Sequence, residues 1–187
     1  MRKVISAIIL CFTALLLSGC DHLSGYTITE QEVNQALAKR DNYQKDIGVN
    51  GLATAHITLT GLQATIGREV AGKVTLSGNA NLQLQSLFGQ QNADLVLKMQ
   101  AQPVFDPDQQ AIYLQQLEIT QSQVQPEKLQ KVVTSLLPLL NQSLQQYFET
   151  HPAYVLSSDR STGEALAKRF AKGLEVKPGA LVVTLMR

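Results

Sequence analysis

The sequence predicts an α+β fold: a curved antiparallel β-sheet wrapped around one long amphipathic helix, with shorter helices near the N- and C-termini. Three observations predict it. In successive runs between residues 53 and 119 apolar side chains recur at every second position, the period of a strand with one buried face. From Pro126 to Phe148 the period changes to 3.6. The longest one-sided run, "VTLSGNANLQL" from Val74 to Leu84, would extend ~36 Å as a strand. The helix over 126–148 would extend ~35 Å. Matching lengths let the helix lie along the oily face of the sheet.

The first residues do not belong to that fold. Arg2 and Lys3 precede "VISAIILCFTALLL", about fourteen apolar residues, where a membrane-spanning helix needs ~20. Residues 1–19 read as an export signal. The signal ends in "LSGC", Leu17 to Cys20, which resembles the lipobox of bacterial lipoproteins. That resemblance implies cleavage before Cys20 and acylation of its thiol and of the new amino terminus. Several acyl chains anchor stably where one is marginal. In enteric-type lipoproteins an aspartate after the cysteine resembles an inner-membrane retention signal. Asp21 therefore favours the inner over the outer membrane, although His22 is not the residue that makes such a signal strongest. Residues 20–25 read as a lipidated terminus with a short tether, and 26–187 as one domain.

Along the mature chain, Thr29 and Glu32 fit a capping box, and Val33 and Leu37 share a face, predicting a helix over about 29–40. "DNYQKDIGVNG" reads as turn. Ala53, Ala55, Ile57 and Leu59 alternate. After Gly61 the apolar set moves to Leu62, Ala64 and Ile66, which predicts a bulge or bend there. The 74–84 strand follows, then "SLFGQQN" as a turn, then a strand with Ala93, Leu95, Leu97, Met99 and Ala101 inward. "PVFDPDQQ" reads as a turn. Ile112 and Leu114, then Leu117 and Ile119, make a fourth strand with a parity slip at Gln115–Gln116. Short turns between such strands argue an antiparallel meander.

On the long helix Leu129, Val132, Val133, Leu136, Leu137, Leu140, Leu144, Tyr147 and Phe148 fall on one stripe. With Leu139 it spans about 180°, wider than the ~100° of an ordinary surface helix. Pro138 points to the polar side. "AYVL" reads as a short edge strand. Ser161 and Glu164 make a second capping box for a helix ended by Gly173, and "LEVKPGALVVTLM" reads as a strand broken at Pro178–Gly179.

Composition narrows the function classes. The chain has 187 residues, 44% hydrophobic and 17% charged. Removing Arg2 and Lys3 from its 16 basic residues leaves 14 against 15 acidic ones, a net charge of −1. Nothing there attracts nucleic acid. With Cys11 cleaved away and Cys20 acylated, no disulfide pair remains. His22, His56 and His151 lack a second ligand at metal-binding spacing. "GREVAGKV" has Val74 where a phosphate-binding loop needs Ser or Thr, and it opens a strand rather than a helix. Asp106-Pro107-Asp108 is a turn without the glycine and glutamate of a calcium loop. The expectation is no enzyme, no cofactor and no metal.

What remains is the oily groove, lined by Val74, Leu76, Ala80, Leu82, Leu84, Leu95, Leu97 and Met99 from the sheet. The helix contributes Val133, Leu136, Leu137, Leu140, Leu144 and Phe148. Small residues on the sheet face (Ala53, Ala55, Gly78, Ala80, Ala93) either let the helix approach closely or leave a void. The aliphatic lining suits acyl chains.

Five segments, "YTITEQEVNQALAKR", "VTLSGNANLQLQSLFG", "VQPEKLQ", "PAYVL" and "LEVKPGALVV", resemble the YceB-like lipoproteins of Gram-negative bacteria, a domain of unknown function. That family is similar in turn to tubular lipid-binding proteins, whose curved sheet encloses a long helix and a lipid-sized cavity. The resemblance implies an envelope lipoprotein facing the periplasm, held to the membrane by its N-terminal lipid, with a phospholipid or fatty acid as ligand. The alternative is a dry-cored scaffold or accessory lipoprotein. Neither reading specifies a protein partner.

Overall fold

The computed structural model describes residues 25–39, 43–49, 53–86 and 89–186, with the side chains of Val49, Ala53 and Ser86 excluded. The signal 1–19, Cys20, Asp21, His22 and the tether before Gly25 lie outside them. Six strands form the larger sheet, in the spatial order β2 (Tyr43–Val49), β3 (Ala53–Ile66), β4 (Val74–Ser86), β5 (Gly89–Asp106), β6 (Ala111–Gln125) and β7 (Tyr154–Val155). Every neighbouring pair is antiparallel. A smaller antiparallel sheet has β9 (Ala180–Leu185) between β1 (Gly25–Thr29) and β8 (Ala171–Lys177). The helices are α1 (Glu30–Ala38), α2 (Gln130–Thr150), entered through a 3-10 turn at Glu127–Leu129, and α3 (Thr162–Phe170).

The alternation sets the pairing, because a one-residue slip would turn every oily side chain to solvent. Leu76 lies opposite Met99, Ala80 opposite Leu95, and Leu82 opposite Ala93. Both parity switches appear as irregularities. The β3–β4 register shifts between Thr60 and Gln63 with Gly61 at φ +64°, and Gln116 takes φ +52° where β5–β6 pairing shifts.

Four expectations need correction. "DNYQKDIGVNG" contains β2, which pairs from Tyr43 opposite Leu59 to Val49 opposite Ala53; cross-strand bonding overrides its turn-rich composition. In "SLFGQQN" the residues Gly89 to Asn92 already belong to β5, opposite Ser86 to Gln83; ahead of the first helix, where the sequence predicted no element, Gly25–Thr29 form β1, paired with β9. "PVFDPDQQ" turns only after Asp106, since Pro103 to Asp106 continue β5 opposite Leu114 to Ala111. Gly173 does not end the C-terminal helix: α3 stops at Phe170, Ala171 turns extended, and Gly173 sits inside β8 opposite Thr184.

Helix side chains cover the strand edges that sheet pairing leaves open. Asn34 on α1 takes both backbone groups of Ala64, accepting from its N–H at 2.6 Å and donating to its carbonyl at 3.1 Å. Glu30 accepts from the Ile66 N–H at 2.8 Å. On α2, Asn141 accepts from the Ile119 N–H at 2.7 Å and reaches the Leu117 carbonyl at 3.4 Å, just past the slip in β6. An unpaired buried N–H would cost about 1–3 kcal/mol, so these two amides and one carboxylate replace a missing strand.

The other side of α2 meets β2. The Tyr43 hydroxyl lies 2.8 Å from the Ser143 hydroxyl, and the Tyr43 and Tyr147 rings are 4.5 Å apart. In sheet order β2 and β6 are four strand spacings apart, ~19 Å if flat, yet one helix touches both. The sheet is open: β2 and β6 do not pair with each other. One apolar cluster joins the inner face of this sheet to α2, α1 and the smaller sheet, including Ile28, Leu181 and Val183.

Candidate functional site

Twelve of the fourteen predicted lining residues fall in that cluster, and Leu136 and Leu137 pack against it. Val74, Leu76, Ala80, Leu82 and Leu84 of β4 and Leu95, Leu97 and Met99 of β5 are buried, as are Val133, Leu140, Leu144 and Phe148 of α2. Leu136 and Leu137 are half-buried. An inner side chain lining an empty tube would leave surface open to a water-sized sphere. Leu76, Leu97, Met99 and Leu144 leave none, at 0% exposure.

Two of the small residues do not leave space either. A Cβ on Gly78 would come within 3.0 Å of Leu62 Cδ2, so the leucine just past the β3 bulge already fills that position. Ala80 is 2% exposed between Leu59 and Leu95. Ala53's side chain lies outside the described residues. A cavity at the C-terminal end of α2, between Leu37, Leu62, Tyr147, Phe148, His151, Pro152 and Ala153, holds about 10 Å³.

The helix stripe is less completely covered than the sheet. Val132 and Leu139 are 46% and 38% exposed, so the N-terminal half of α2 presents apolar surface that the described strands leave partly uncovered. Leu139 lines a surface cleft of about 250 Å³ with Lys45, Asp46, Ile47, Gly48, Gln142, Ser143 and Gln146. This cleft follows the β2–α2 seam. Burial raises the Tyr43 hydroxyl above the ordinary tyrosine range, although its bond to Ser143 pulls the other way. Tyr43 therefore stays neutral at physiological pH.

A polar cluster that the sequence did not reveal lies between β7 and α3. The Ser161 hydroxyl accepts from the Glu164 N–H at 3.0 Å, the first half of the expected capping box. Glu164 does not complete it. Its side chain is buried, and Oε1 accepts from Tyr154 (3.2 Å), the Ser157 N–H (2.9 Å) and Arg160 (2.5 Å), while Oε2 has no partner. Arg160 also donates to the Tyr154 hydroxyl, lies 4.8 Å from its ring centroid, and bonds the Val155 carbonyl at 3.0 Å. Burial, then the Glu164 charge, pushes the Tyr154 phenol far above its usual value. The cluster ties β7 to α3, and Tyr154 and Arg160 also line a surface cavity of about 210 Å³ with Glu32, Gln35 and Lys39. The S-x-x-E spacing was the signal, but a capping box and a buried ion pair share it.

The histidines stand apart. His56 Nδ1 is 2.7 Å from Asp46 on the outer face, and His151 stacks on Tyr147 with ring centroids 4.3 Å apart at the end of α2. Among the described residues no three His, Cys, Asp or Glu side chains gather as metal ligands, and no helix is long and apolar enough to cross a membrane. "GREVAGKV" is the β3–β4 connection, closed by the Gly67 N–H on the Lys73 carbonyl at 2.9 Å. Asp106 accepts from the Asp108 and Gln109 N–H groups at 2.8 and 3.0 Å, forming the turn into β6.

Comparison with known proteins gives the following likenesses. A family model described as "Protein of unknown function (DUF1439)" matches residues 28–180. A Salmonella typhimurium protein named "Uncharacterized lipoprotein YceB" is 56% identical over 183 residues, 98% of each chain. The Escherichia coli protein of the same name is 55% identical over 183 residues, again 98% of each. Among solved structures, the crystal structure of a lipopolysaccharide binding protein aligns with 85% of this chain at a TM-score of 0.34 and 10% identity. This chain spans about half of that protein, 49% of its length.

Proposed function

The chain belongs to the DUF1439 family, and from that premise we propose that it is a non-catalytic envelope lipoprotein that holds an acyl chain between α2 and the larger sheet. Its anchor is the acylated Cys20, with Asp21 directing it to the inner membrane and the domain facing the periplasm. The ligand is a phospholipid or a fatty acid, held by apolar burial.

One observation carries this reading. The stripe of α2 is wider than its cover, with Val132 and Leu139 exposed and Leu136 and Leu137 half-covered beside the β2–α2 cleft. An acyl chain laid there would bury apolar surface at ~25 cal/mol per Å² and offer nothing to polar groups. Reaching the inner leucines requires α2 to lift from β2, where one hydroxyl pair and one ring contact hold it. The β6 side keeps its hold through Asn141.

A second reading, the dry-cored scaffold or accessory subunit, is favoured by the complete closure around Leu76, Leu97 and Met99. Native mass spectrometry separates the two. The domain after Cys20, purified from envelope without detergent and then extracted with organic solvent, should carry a near-stoichiometric phospholipid or fatty acid. A bare mass that incubation with lipid vesicles leaves unchanged would assign the protein to the scaffold reading.

A further inference from the structure

We infer that the face formed by α3 and the end of β9 is a second membrane contact, which lays the domain on an anionic bilayer beside its lipid anchor. The inference deepens the proposed reading and rests on acylation at Cys20. Leu166 and Phe170, four apart on one face of α3, are each 46% exposed, and Met186 is 58% exposed. They are neighbours in space: the Met186 N–H donates to the Phe170 carbonyl at 2.7 Å. Large apolar side chains grouped in this way mark an interaction surface rather than scattered surface residues.

The charges around the patch select the partner. Between Ser161 and Lys172 the charged residues are Glu164, Lys168, Arg169 and Lys172. Glu164 is fully buried against Arg160, so those that face outward are all positive. Lys168 and Arg169 line a surface depression of about 460 Å³ together with Leu166. On the neighbouring β8, Glu175 lies 3.5 Å from Lys177, which offsets it. Apolar side chains that can enter the acyl boundary, flanked by cations that can meet phosphates, form the pattern of an interfacial contact.

The tether places the same face toward the membrane. Gly25, the first residue of β1, pairs with Thr184, two residues before Met186. Only five peptide links separate Cys20 from Gly25, and at ~3.6 Å per residue they reach at most ~18 Å. An acylated Cys20 would therefore hold the Phe170–Met186 end of the domain near the lipid headgroups. A protein partner or a second copy could use an apolar patch anywhere on the domain. The position beside the tether and the positive rim favour lipid.

The test uses the full chain, with a polarity-sensitive fluorophore on Phe170→Cys, on Leu166→Cys, or on Gln85→Cys. Gln85 is exposed and pairs with Gln90, sixteen residues along β5 from Asp106, roughly 50 Å of strand. Reconstituted into vesicles containing phosphatidylglycerol, the probes at 166 and 170 should shift to the blue and be quenched by spin-labelled lipid, while the probe at 85 reports water. Replacing Arg169 and Lys172 with Gln should weaken docking about fivefold per cation. Intact mass reads acylation separately. An acylated, vesicle-bound chain whose probes at 166 and 170 are as wet as that at 85 overturns the docking surface and leaves the anchor standing. A chain without acyl groups that still draws both probes into these vesicles supports the surface and overturns the anchor. Probes that become dry yet escape the lipid quencher indicate a second copy on the patch and overturn the inference.

Discussion

Tyr43 and Ser143 stand one hundred residues apart in the chain, yet their hydroxyls are 2.8 Å apart in space, joining edge strand β2 to the long helix. This pair is a direct polar hold across the seam at which the proposed ligand enters. Tyr43→Phe keeps the ring against Tyr147 and removes the hydroxyl. It should cost ~0.5–1.5 kcal/mol in urea unfolding and raise amide exchange in β2 more than in β6. An unchanged β2 exchange rate would mean that the seam does not open through this contact.

The opposite side of α2 should behave differently. Asn141 supplies the acceptor for the Ile119 N–H, and in Asn141→Ala that donor has no partner. The expected loss is ~1–3 kcal/mol, with β6 and α2 exchanging faster together. Comparing this variant with Tyr43→Phe ranks the two sides of the helix by how firmly each is held.

Much of this arrangement was legible in the sequence, for reasons these residues make plain. Strict alternation in β4 specified which side chains face inward, and the parity switches at Gly61 and Gln116 announced the bulges, because a period of two tolerates no silent insertion. Strand β2 was not legible. Among its described side chains Ile47 is the one buried aliphatic, and its Asn, Asp and Gly neighbours mimic a loop; what makes it a strand is the ladder offered by β3. The lining residues were found as a set, but their degree of closure was not. Whether Gly78 leaves a void depends on where Leu62 lies, a distance no periodicity encodes. Glu164 was found at the right position with half its role, since the same spacing serves a helix cap and a buried ion pair.

Ala80 tests how full the interior is. It is 2% exposed, between Leu59 and Leu95 on the adjacent strands. Ala80→Leu should overpack and destabilise the domain by ~1–3 kcal/mol in urea titration, and any co-purifying lipid should fall with it. A variant as stable as the parent would reveal room at this position and strengthen the case for an open tube.

Cys20→Ser removes the thiol that the lipobox reading acylates. The variant should lose the acyl mass and leave the membrane fraction. A serine variant that still fractionates as an acylated membrane protein would overturn that reading.

Tyr154 gives a prediction in pH. Burial, followed by the charge of Glu164, raises its pKa far above the ordinary value of 10.0, and burial also leads the upward shifts of Tyr26 and Tyr43. Below pH ~10 a tyrosine is protonated in both the folded and the unfolded chain, so its contribution to stability is constant. Above that value the unfolded chain releases the proton and the folded chain keeps it. The unfolded state then binds fewer protons, and stability must fall as pH rises toward the folded pKa. Tyr154, 2% exposed, should contribute a decline of ~0.7 kcal/mol per pH unit on average between about pH 9 and about pH 11, steepening toward ~1.4 above it, with Tyr26 and Tyr43 adding smaller amounts. Urea titrations from about pH 9 to about pH 11 measure the slope. Tyr154→Phe should flatten it by about that amount whatever it costs at neutral pH, because phenylalanine has no proton to release. Equal slopes in parent and variant would mean that Tyr154 ionises as readily in the folded protein as in water, and that the cluster with Arg160 and Glu164 does not exclude solvent.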